Sequence, residues 1–435
     1  MKRTLCAALF SLMAASSIFA LEKPFFSGAV GLLTTIANKT DSDSFDPGCG
    51  AESYFAGQLD FSGRLFLRGE FYVLADDIFN ARIFKSGSTE TNAQFRMEEL
   101  SATYVFNGDK SSHYVSAFTG CYEQIGSDIF LQRQFGIKPI QSNLTNSYHG
   151  VQGASLFPDY TMGLSYTGRF SGDNALGLTA SKGKLAVTTG NDVDSLNFDA
   201  RFAKLFNKAT IDMVAGVAVP LKKDGDNGKN PQLHMGFSGL FGFKKSYMLY
   251  TQLGINRFVL KRSADDSSVR FDDIYFLVEP RIPFGSLYLN IAAFSIPLDS
   301  AAEMVYLKPM VRKNPTSQSI TGININFVQE DCRINTTKFT FGIHGTVGFA
   351  GLTMDDVIDD LRDSDKMILI TPYTNVEISG GKLNASVSLA VDDLADDAKN
   401  AVSVHLGFRT SFSRQRKPFS ELNSDCFFKG VAQST

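Results

Sequence analysis

The sequence predicts an all-β protein, a transmembrane antiparallel up-and-down β-barrel of about 18 strands, with 16 strands as the alternative count. Three observations predict this fold class: an export signal at the N-terminus, apolar and polar residues that alternate along almost the whole chain, and connections that alternate between short and long. Each of these observations concerns a different part of the barrel.

The composition narrows the class of protein. The 435 residues are 43% apolar and 20% charged, with 38 Phe, 13 Pro and a formal net charge of -3. That charge gives no surplus of cations for neutralising phosphates, so we expect no nucleic-acid partner. Beyond the N-terminus the longest apolar run is 213–219, far short of the roughly 20 residues that a spanning helix needs. A membrane protein of this sequence must therefore cross with strands.

The first element is a secretory signal peptide at residues 1–20. Lys2 and Arg3 precede an apolar stretch, and small residues lead to Ala20. We expect cleavage near Ala20, with cleavage after Ser17 as the alternative. The predicted barrel then occupies 21–412, and a periplasmic tail occupies 413–435.

The strands are predicted from period-two alternation. In 402–412, for example, Val402, Leu406 and Phe408 fall on one face, while His405 and Arg409 fall on the other. The eighteen candidate strands are 25–37, 51–61, 64–74, 97–106, 114–123, 160–170, 175–184, 195–206, 209–221, 232–243, 247–260, 271–282, 286–296, 321–328, 337–350, 367–378, 382–391 and 402–412.

The connections favour a barrel over a soluble sandwich. Links after even-numbered strands are mostly short, and links after odd-numbered strands are mostly longer and polar, as in barrels with periplasmic turns and outer loops. An even number of strands also returns both ends of the barrel to the periplasmic side. Pro372 lies inside the sixteenth strand and removes a ladder donor, which predicts a bulge there or a miscounted strand.

The last strand carries a family resemblance. His405, Gly407 and Phe412 are similar to the polar, glycine and aromatic positions of the C-terminal signal of outer-membrane barrels, while Thr410 departs from its apolar position. The chain thus resembles porin-like outer-membrane β-barrel proteins of diderm bacteria, of Gram-negative or spirochaete type. The resemblance implies an outer-membrane location, with membrane lipid and the barrel-assembly machinery as partners.

The polar face predicts a water-filled lumen, since about eighteen strands leave room for a channel. We expect a porin-like channel for passive diffusion of small hydrophilic solutes. The longest loop, 124–159, resembles in position and length the loop that constricts general porins. The residues expected to line the pore or its constriction are Arg68, Glu70, Asp128, Arg133, Lys138, Asp199, Arg201, Glu279 and Arg281.

Two other functions stay open at this point. A surface-exposed binding protein or adhesin would use its loops and keep its lumen closed. A transporter for apolar solutes such as fatty acids is disfavoured, because strand alternation starts at once after the signal peptide and leaves no N-terminal hatch. The oligomeric state is also left open.

No enzyme, metal or cofactor is expected. The sequence lacks HExxH, GxSxG and GKS/GKT motifs, and a barrel esterase built on His405 with Ser403 or Ser411 is less economical than a polar lumen. The aspartate-rich segments 355–365 and 392–397 lack the spacing of an EF-hand, which favours solvated surface charge.

Four cysteines remain after the signal peptide. They allow two disulfides in three connectivities, and their spacing favours free or incidentally paired cysteines: Cys49, Cys121, Cys332 and Cys426.

Overall fold

In a computed structural model, the chain forms one closed sheet of 18 antiparallel strands. Every strand pairs with its neighbours in sequence, and the first strand also pairs with the last, from Ser27 opposite Ser413 to Ala37 opposite Ser403. Closure leaves no free sheet edge. The predicted 18-stranded barrel is confirmed, and the 16-strand alternative is wrong.

The strands follow the predicted order closely. They are β1 Phe25–Asn38, β2 Pro47–Ser62, β3 Leu65–Ala75, β4 Ala93–Asn107, β5 Ser112–Gly120, β6 Thr161–Phe170, β7 Asn174–Leu185, β8 Val193–Phe206, β9 Ala209–Pro220, β10 Gln232–Gly242, β11 Met248–Val259, β12 Ile274–Phe284, β13 Leu287–Pro297, β14 Ser319–Ile334, β15 Thr337–Ala350, β16 Met367–Ile378, β17 Gly381–Ala390 and β18 Val402–Ser413.

Part of the chain lies outside this description, including the predicted signal peptide and the tail beyond Ser413. The structure describes residues 25–38, 46–62, 64–75, 77–78, 93–108, 111–122, 125, 129–137, 142, 144–145, 160–185, 193–221, 230–242, 246–259, 273–302, 304–314, 319–350, 366–378, 381–394 and 398–413.

The two faces of the sheet have opposite polarity, and the apolar face is the exposed one. In β18, Leu406 is 49% exposed and Val402 is 39% exposed, whereas His405 on the other face is 1% exposed. A soluble sandwich would bury these apolar side chains between two sheets. Here they point outward from a single closed sheet, as in a barrel surrounded by acyl chains.

The short turns close one end of the barrel with left-handed backbone. Gly172 and Asp173, between β6 and β7, have φ angles of 82° and 56°, and Asn335 between β14 and β15 has a φ of 56°. Positive φ matches the twist of tight hairpins, and Gly, Asn and Asp tolerate it best. The long connections lie at the opposite end.

Two details differ from the sequence-based expectation. The strand predicted over 321–328 is longer, because β14 continues to Ile334 through a register shift between Gln329 and Cys332. The expected bulge at Pro372 is absent from the ladders of β16. Pairing with β15 is continuous there, and pairing with β17 skips Thr371 and Pro372 and resumes in the same register at Tyr373. One missing donor therefore interrupts the ladder without shifting it.

In the parts of the connections that the structure describes, three short helices lie at the long-loop end. They are α1 Ile129–Phe135, between β5 and β6, and α2 Leu298–Ala302 and α3 Lys308–Lys313, between β13 and β14. Among the described residues, no helix is both long and apolar enough to cross a membrane. Apolar residues of these connections belong to one buried cluster with wall residues of β7 to β17, so both connections fold into the barrel.

Candidate functional site

The candidate site is the lumen, which two folded connections enter. We call residues 121–145 insert A and residues 298–314 insert B. Insert A contains α1, and insert B contains α2 and α3. Both pack their apolar side chains against inward-facing positions of the wall.

Insert A is anchored on β7 and β8 by Phe130. The Phe130 side chain is fully buried, and its ring centroid lies 4.1 Å from the guanidinium carbon of Arg201. Gly177 leaves room for the ring, because a Cβ built there would lie 3.4 Å from Phe130 Cε2. Arg201 in turn is bound by Asp212, with distances of 2.8 Å from Nε to Oδ1 and 2.5 Å from Nη2 to Oδ2. This pair presents a fixed guanidinium plane to the aromatic ring.

A second anchor of insert A is Arg133. Its guanidinium carbon lies 5.3 to 5.9 Å from the ring centroids of Phe66, Tyr114 and Tyr122, and Nη1 donates a 2.9 Å hydrogen bond to the Tyr122 hydroxyl. Gln134 beside it donates to Thr167 Oγ1 at 3.0 Å. Arg133 therefore contacts two aromatic rings of the wall, Phe66 and Tyr114, and Tyr122 of the insert itself, which fixes the position of the insert.

The far end of insert A reaches β12. Ser142 Oγ donates a hydrogen bond to Glu279 Oε2, and Glu279 Oε1 accepts a 2.7 Å hydrogen bond from Arg281 Nε. Glu279 and Ser142 are both 1% exposed. The described residues of insert A thus contact the wall near its root at β5 and again at β12, a strand seven places further along the chain.

The other predicted pore residues in the described part of the chain form one ion pair and one contact between a carboxylate and a histidine. Arg68 binds Glu70 on its own strand and approaches Glu99 of β4 at 3.7 Å, and all three side chains are at most 3% exposed. Asp199 Oδ1 lies 2.5 Å from His234 Nε2, and the side chains of Asp199 and His234 are 24% and 13% exposed. Their side chains meet over Gly216 of β9, where a Cβ atom would overlap both of them.

Insert B is held by polar contacts of its C-terminal half with the end of β1, with β2 and with the β17–β18 connection. Lys308 binds Glu52 of β2, Arg312 Nη2 donates to the Asn38 carbonyl oxygen at 2.9 Å, and Lys313 binds Asp392 and Asp393, the latter at 2.7 Å. Burial lowers the pKa of the Lys308 ammonium to about 7, so its charge in this position depends on the facing carboxylate.

Lys313 and Asp392 form an ion pair between insert B and the β17–β18 connection, and each partner shifts the pKa of the other. Burial acts to raise the pKa of Asp392, but hydrogen bonds from Lys313 and from the backbone N–H of Ile368 outweigh it and hold the pKa below its ordinary 3.8. Hydrogen bonds to both aspartates likewise raise the pKa of Lys313 despite its partial burial. Both groups therefore remain charged at neutral pH.

The lumen face of β13 to β18 carries a patch of uncharged hydrogen-bonding groups, which we call the neutral wall. Each of its members is at most 2% exposed. Tyr306 of insert B packs against this patch, with its ring centroid 4.0 Å from that of His344 and 5.5 Å from that of Tyr373. The neutral wall consists of Asn290, Asn324, Asn326, His344, Ser386 and His405.

The other residues singled out in the sequence either lie outside the described residues or have the surroundings given next. Asp128 and Lys138 lie outside the described part of the chain, as do Cys426 and the acidic segment 355–365. Phe412 lies in β18, with its ring centroid 5.4 Å from that of Phe26. Cys49 and Cys332 carry free thiols. Within the described ranges, no group of three or more His, Cys, Asp or Glu side chains could hold a metal ion.

Sequence reasoning missed insert B, the partner of Arg201, and Phe130. The signal for insert B was the group of large apolar residues at 304–310, within a connection otherwise treated as a polar loop. The signal for Asp212 was its place among the lumen-facing residues of β9, the strand that pairs with the strand of Arg201. No local pattern distinguishes Phe130, because its role depends on a hollow formed by strands 40 or more residues further along the chain.

Comparisons with known proteins complete the description. No protein-family profile matches the chain, and no curated protein matches it in sequence. Solved structures with similar folds include the outer membrane protein OpdK from Pseudomonas aeruginosa, at 10% identity and TM-score 0.49, covering 91% of this chain and 100% of that one. A BenF-like porin from Pseudomonas fluorescens has 9% identity, TM-score 0.49 and the same coverage. The outer membrane channel DcaP of Acinetobacter baumannii has 12% identity and TM-score 0.42, covering 90% of this chain and 97% of that one.

Proposed function

We propose that this chain is an outer-membrane channel through which small hydrophilic solutes diffuse passively, and that inserts A and B narrow its lumen. One observation carries the proposal: a closed 18-stranded barrel exposes its apolar face outside and directs its polar face inward. A barrel of this size encloses more space than wall side chains alone can fill. The names of the similar solved structures, an outer membrane protein, a porin and a channel, agree with this function.

Within this proposal the charged pairs form the selectivity region. Arg68 with Glu70, Arg201 with Asp212, and Arg281 with Glu279 place both signs of charge close together on the inner wall. Rings of charged side chains set ion preference in pores. Because each of these cations faces a carboxylate, we expect only a weak preference between anions and cations.

The proposal also includes the route to the membrane. We propose that residues 1–20 are removed on export, that 413–435 remain periplasmic, and that His405, Gly407 and Phe412 are read by the barrel-assembly machinery. N-terminal sequencing of the mature protein tests the first statement, and a start at Leu21 is expected. Replacing Phe412 with Ala tests the third, and a loss of folded barrel in the outer membrane is expected.

The decisive experiment is conductance. The refolded protein is added to planar lipid bilayers, and discrete steps of a water-filled pore are expected. Arg133→Ala is the matched variant, because it removes the contacts of insert A with the Phe66 and Tyr114 rings of the wall while leaving every strand unchanged. We expect altered step size and noise in that variant. A folded barrel that stays silent would favour the competing function, a surface-exposed binding protein with a closed lumen.

A further inference from the structure

The neutral wall is buried but incompletely hydrogen-bonded. Asn324 Nδ2 donates to Thr346 Oγ1 at 2.7 Å, and Asn324 Oδ1 lies 3.0 Å from His344 Nδ1. In contrast, both polar atoms of the Asn290 amide, His344 Nε2 and Ser386 Oγ have no hydrogen-bond partner among the described residues. Buried polar groups in folded proteins are nearly always paired, so unpaired ones indicate a missing partner. The wall has more hydrogen-bonding capacity than its own residues use.

The cover over this wall is largely apolar. The Tyr306 ring packs against the His344 ring. Met310 occupies the space that Gly348 leaves, because a Cβ built at that glycine would lie 2.7 Å from the Met310 sulfur. Leu307 and Met304 belong to the same buried cluster. Such side chains offer almost no hydrogen bonds to the amide and hydroxyl groups beneath them. The arrangement therefore buries polar atoms that a bound solute or water could satisfy.

The cover is held from the side. Its ionic contacts go to Glu52 of β2, to the Asn38 carbonyl at the end of β1, and to Asp392 and Asp393 in the β17–β18 connection. None of these four groups belongs to the neutral wall. Insert B also packs Met304, Leu307 and Met310 into the buried apolar cluster, but none of these side-chain contacts is a ladder hydrogen bond of the barrel. Displacement of insert B would make the unpaired Nε2 of His344, which lies against Tyr306, available to a new partner.

We propose that insert B is a displaceable cover and that the neutral wall beneath it is a binding surface for uncharged, hydroxyl-bearing solutes. This inference rests on the proposed channel function. Amide and hydroxyl groups both donate and accept hydrogen bonds, which suits a polyol. On β15 to β18 the charged side chains that face the lumen lie toward the short-turn end, and at the other edge of the wall Arg281 of β12 is the cross-strand partner of Asn290: the four on β15 to β18 are Lys338, Glu377, Lys382 and Arg409. Over Asn324, His344 and Ser386 an ionic solute would thus lose hydration without gaining a counter-charge from those side chains.

The test compares two solutes of similar size, sorbitol and gluconate, in a liposome-swelling assay. Glu52→Gln keeps the side-chain shape but leaves Lys308 without its carboxylate. We expect sorbitol influx to rise about tenfold, because loss of the Glu52 carboxylate removes the ion pair that holds insert B to β2 and favours the uncovered state. Gluconate influx should rise much less. Asp194→Asn is the control, since it breaks an exposed pair with Lys182, and we expect no change.

Two further variants complete the experiment. Lys313→Met releases the cover at a different anchor and should reproduce the effect of Glu52→Gln. Asn290→Leu combined with Glu52→Gln should lose the advantage of sorbitol, because the leucine removes the unpaired amide while keeping its volume. Folding of each variant is checked by its heat-modifiable migration in electrophoresis.

The outcomes separate the two proposals. Equal acceleration of sorbitol and gluconate would overturn the assigned solute class, and unchanged influx in both folded anchor variants would overturn the displaceable cover. Folded wild-type protein that passes neither solute and stays silent in bilayers would instead overturn the channel function, and the inference with it.

Discussion

Phe130 anchors insert A, so Phe130→Ala should detach the insert from the wall while leaving the barrel folded. The ring is fully buried between Arg201 and the hollow at Gly177. Burial of a phenylalanine removes roughly 200 Å² from water, worth about 5 kcal/mol at about 25 cal/mol per Å². Truncation to alanine typically costs about 3 to 5 kcal/mol. A loss of about 3 kcal/mol raises the detached fraction of insert A about 100-fold.

Limited trypsin digestion of the folded protein measures that fraction, because Arg133 lies in the same insert. In the wild type, Arg133 is held against aromatic rings and cleavage after it should be slow. Cleavage tracks the population of the open form when opening and closing are fast. We therefore expect cleavage after Arg133 to accelerate by up to about 100-fold in Phe130→Ala, and far less in Phe130→Leu, which keeps most of the buried volume.

The matched control is Phe95→Ala. Phe95 is 70% exposed on β4, so the same chemical change removes little packing there. Cleavage after Arg133 should stay at the wild-type rate in this variant. If Phe130→Ala left the cleavage rate unchanged while the barrel remained folded, the assignment of Phe130 as the anchor would be refuted.

Three further predictions concern the wall and the rim. Asp212→Ala leaves a buried arginine without its partner and should lower the free energy of unfolding by about 3 to 5 kcal/mol, measured by urea titration in lipid vesicles. Gly216→Ala places a methyl group against the Asp199 carboxylate and should cost about 1 to 3 kcal/mol in the same assay, whereas Gly345→Ala, whose Cβ would lie 3.9 Å from the Ile325 carbonyl oxygen, should be tolerated. Because the pKa of Asp392 is held below 3.8, its contact with insert B should persist at neutral pH and be lost only as the pH falls through that lowered value. Proteolytic sensitivity of insert B should therefore rise in acid, and a wild-type-like acid response in Asp392→Asn would contradict this.

Alternation alone predicted most of the barrel. Each strand needs only its own residues to show two faces, because side chains alternate with a period of two. The apolar Val402 and Leu406 and the inward His405 are placed as their positions in the sequence predict. The hydrophobic pattern also sets the register, since a slip by one residue would exchange the two faces. The porin-like outer-membrane barrel predicted from these patterns is confirmed as a fold.

The candidate site was predictable only in part. Inward-facing charges such as Arg201, Glu279 and Arg281 were identified by parity, but the pairing of Arg201 with Asp212 was not. Pairing depends on which strands become neighbours and on the stagger between them, and Arg201 meets Asp212 only because β8 and β9 pair in one particular register. Arg133 was expected to face the charged wall, and it contacts aromatic rings instead.

The sequence by itself therefore determined the sheet, its two faces and its even number of strands, because these follow from local periodicity and from turn residues. Only the tertiary structure decided what occupies the lumen. Insert B folds inward because Gly348 leaves space for Met310 and because Glu52 binds Lys308 from a strand more than 250 residues earlier in the chain. Contacts over such separations arise only when the barrel closes, and no local pattern encodes them.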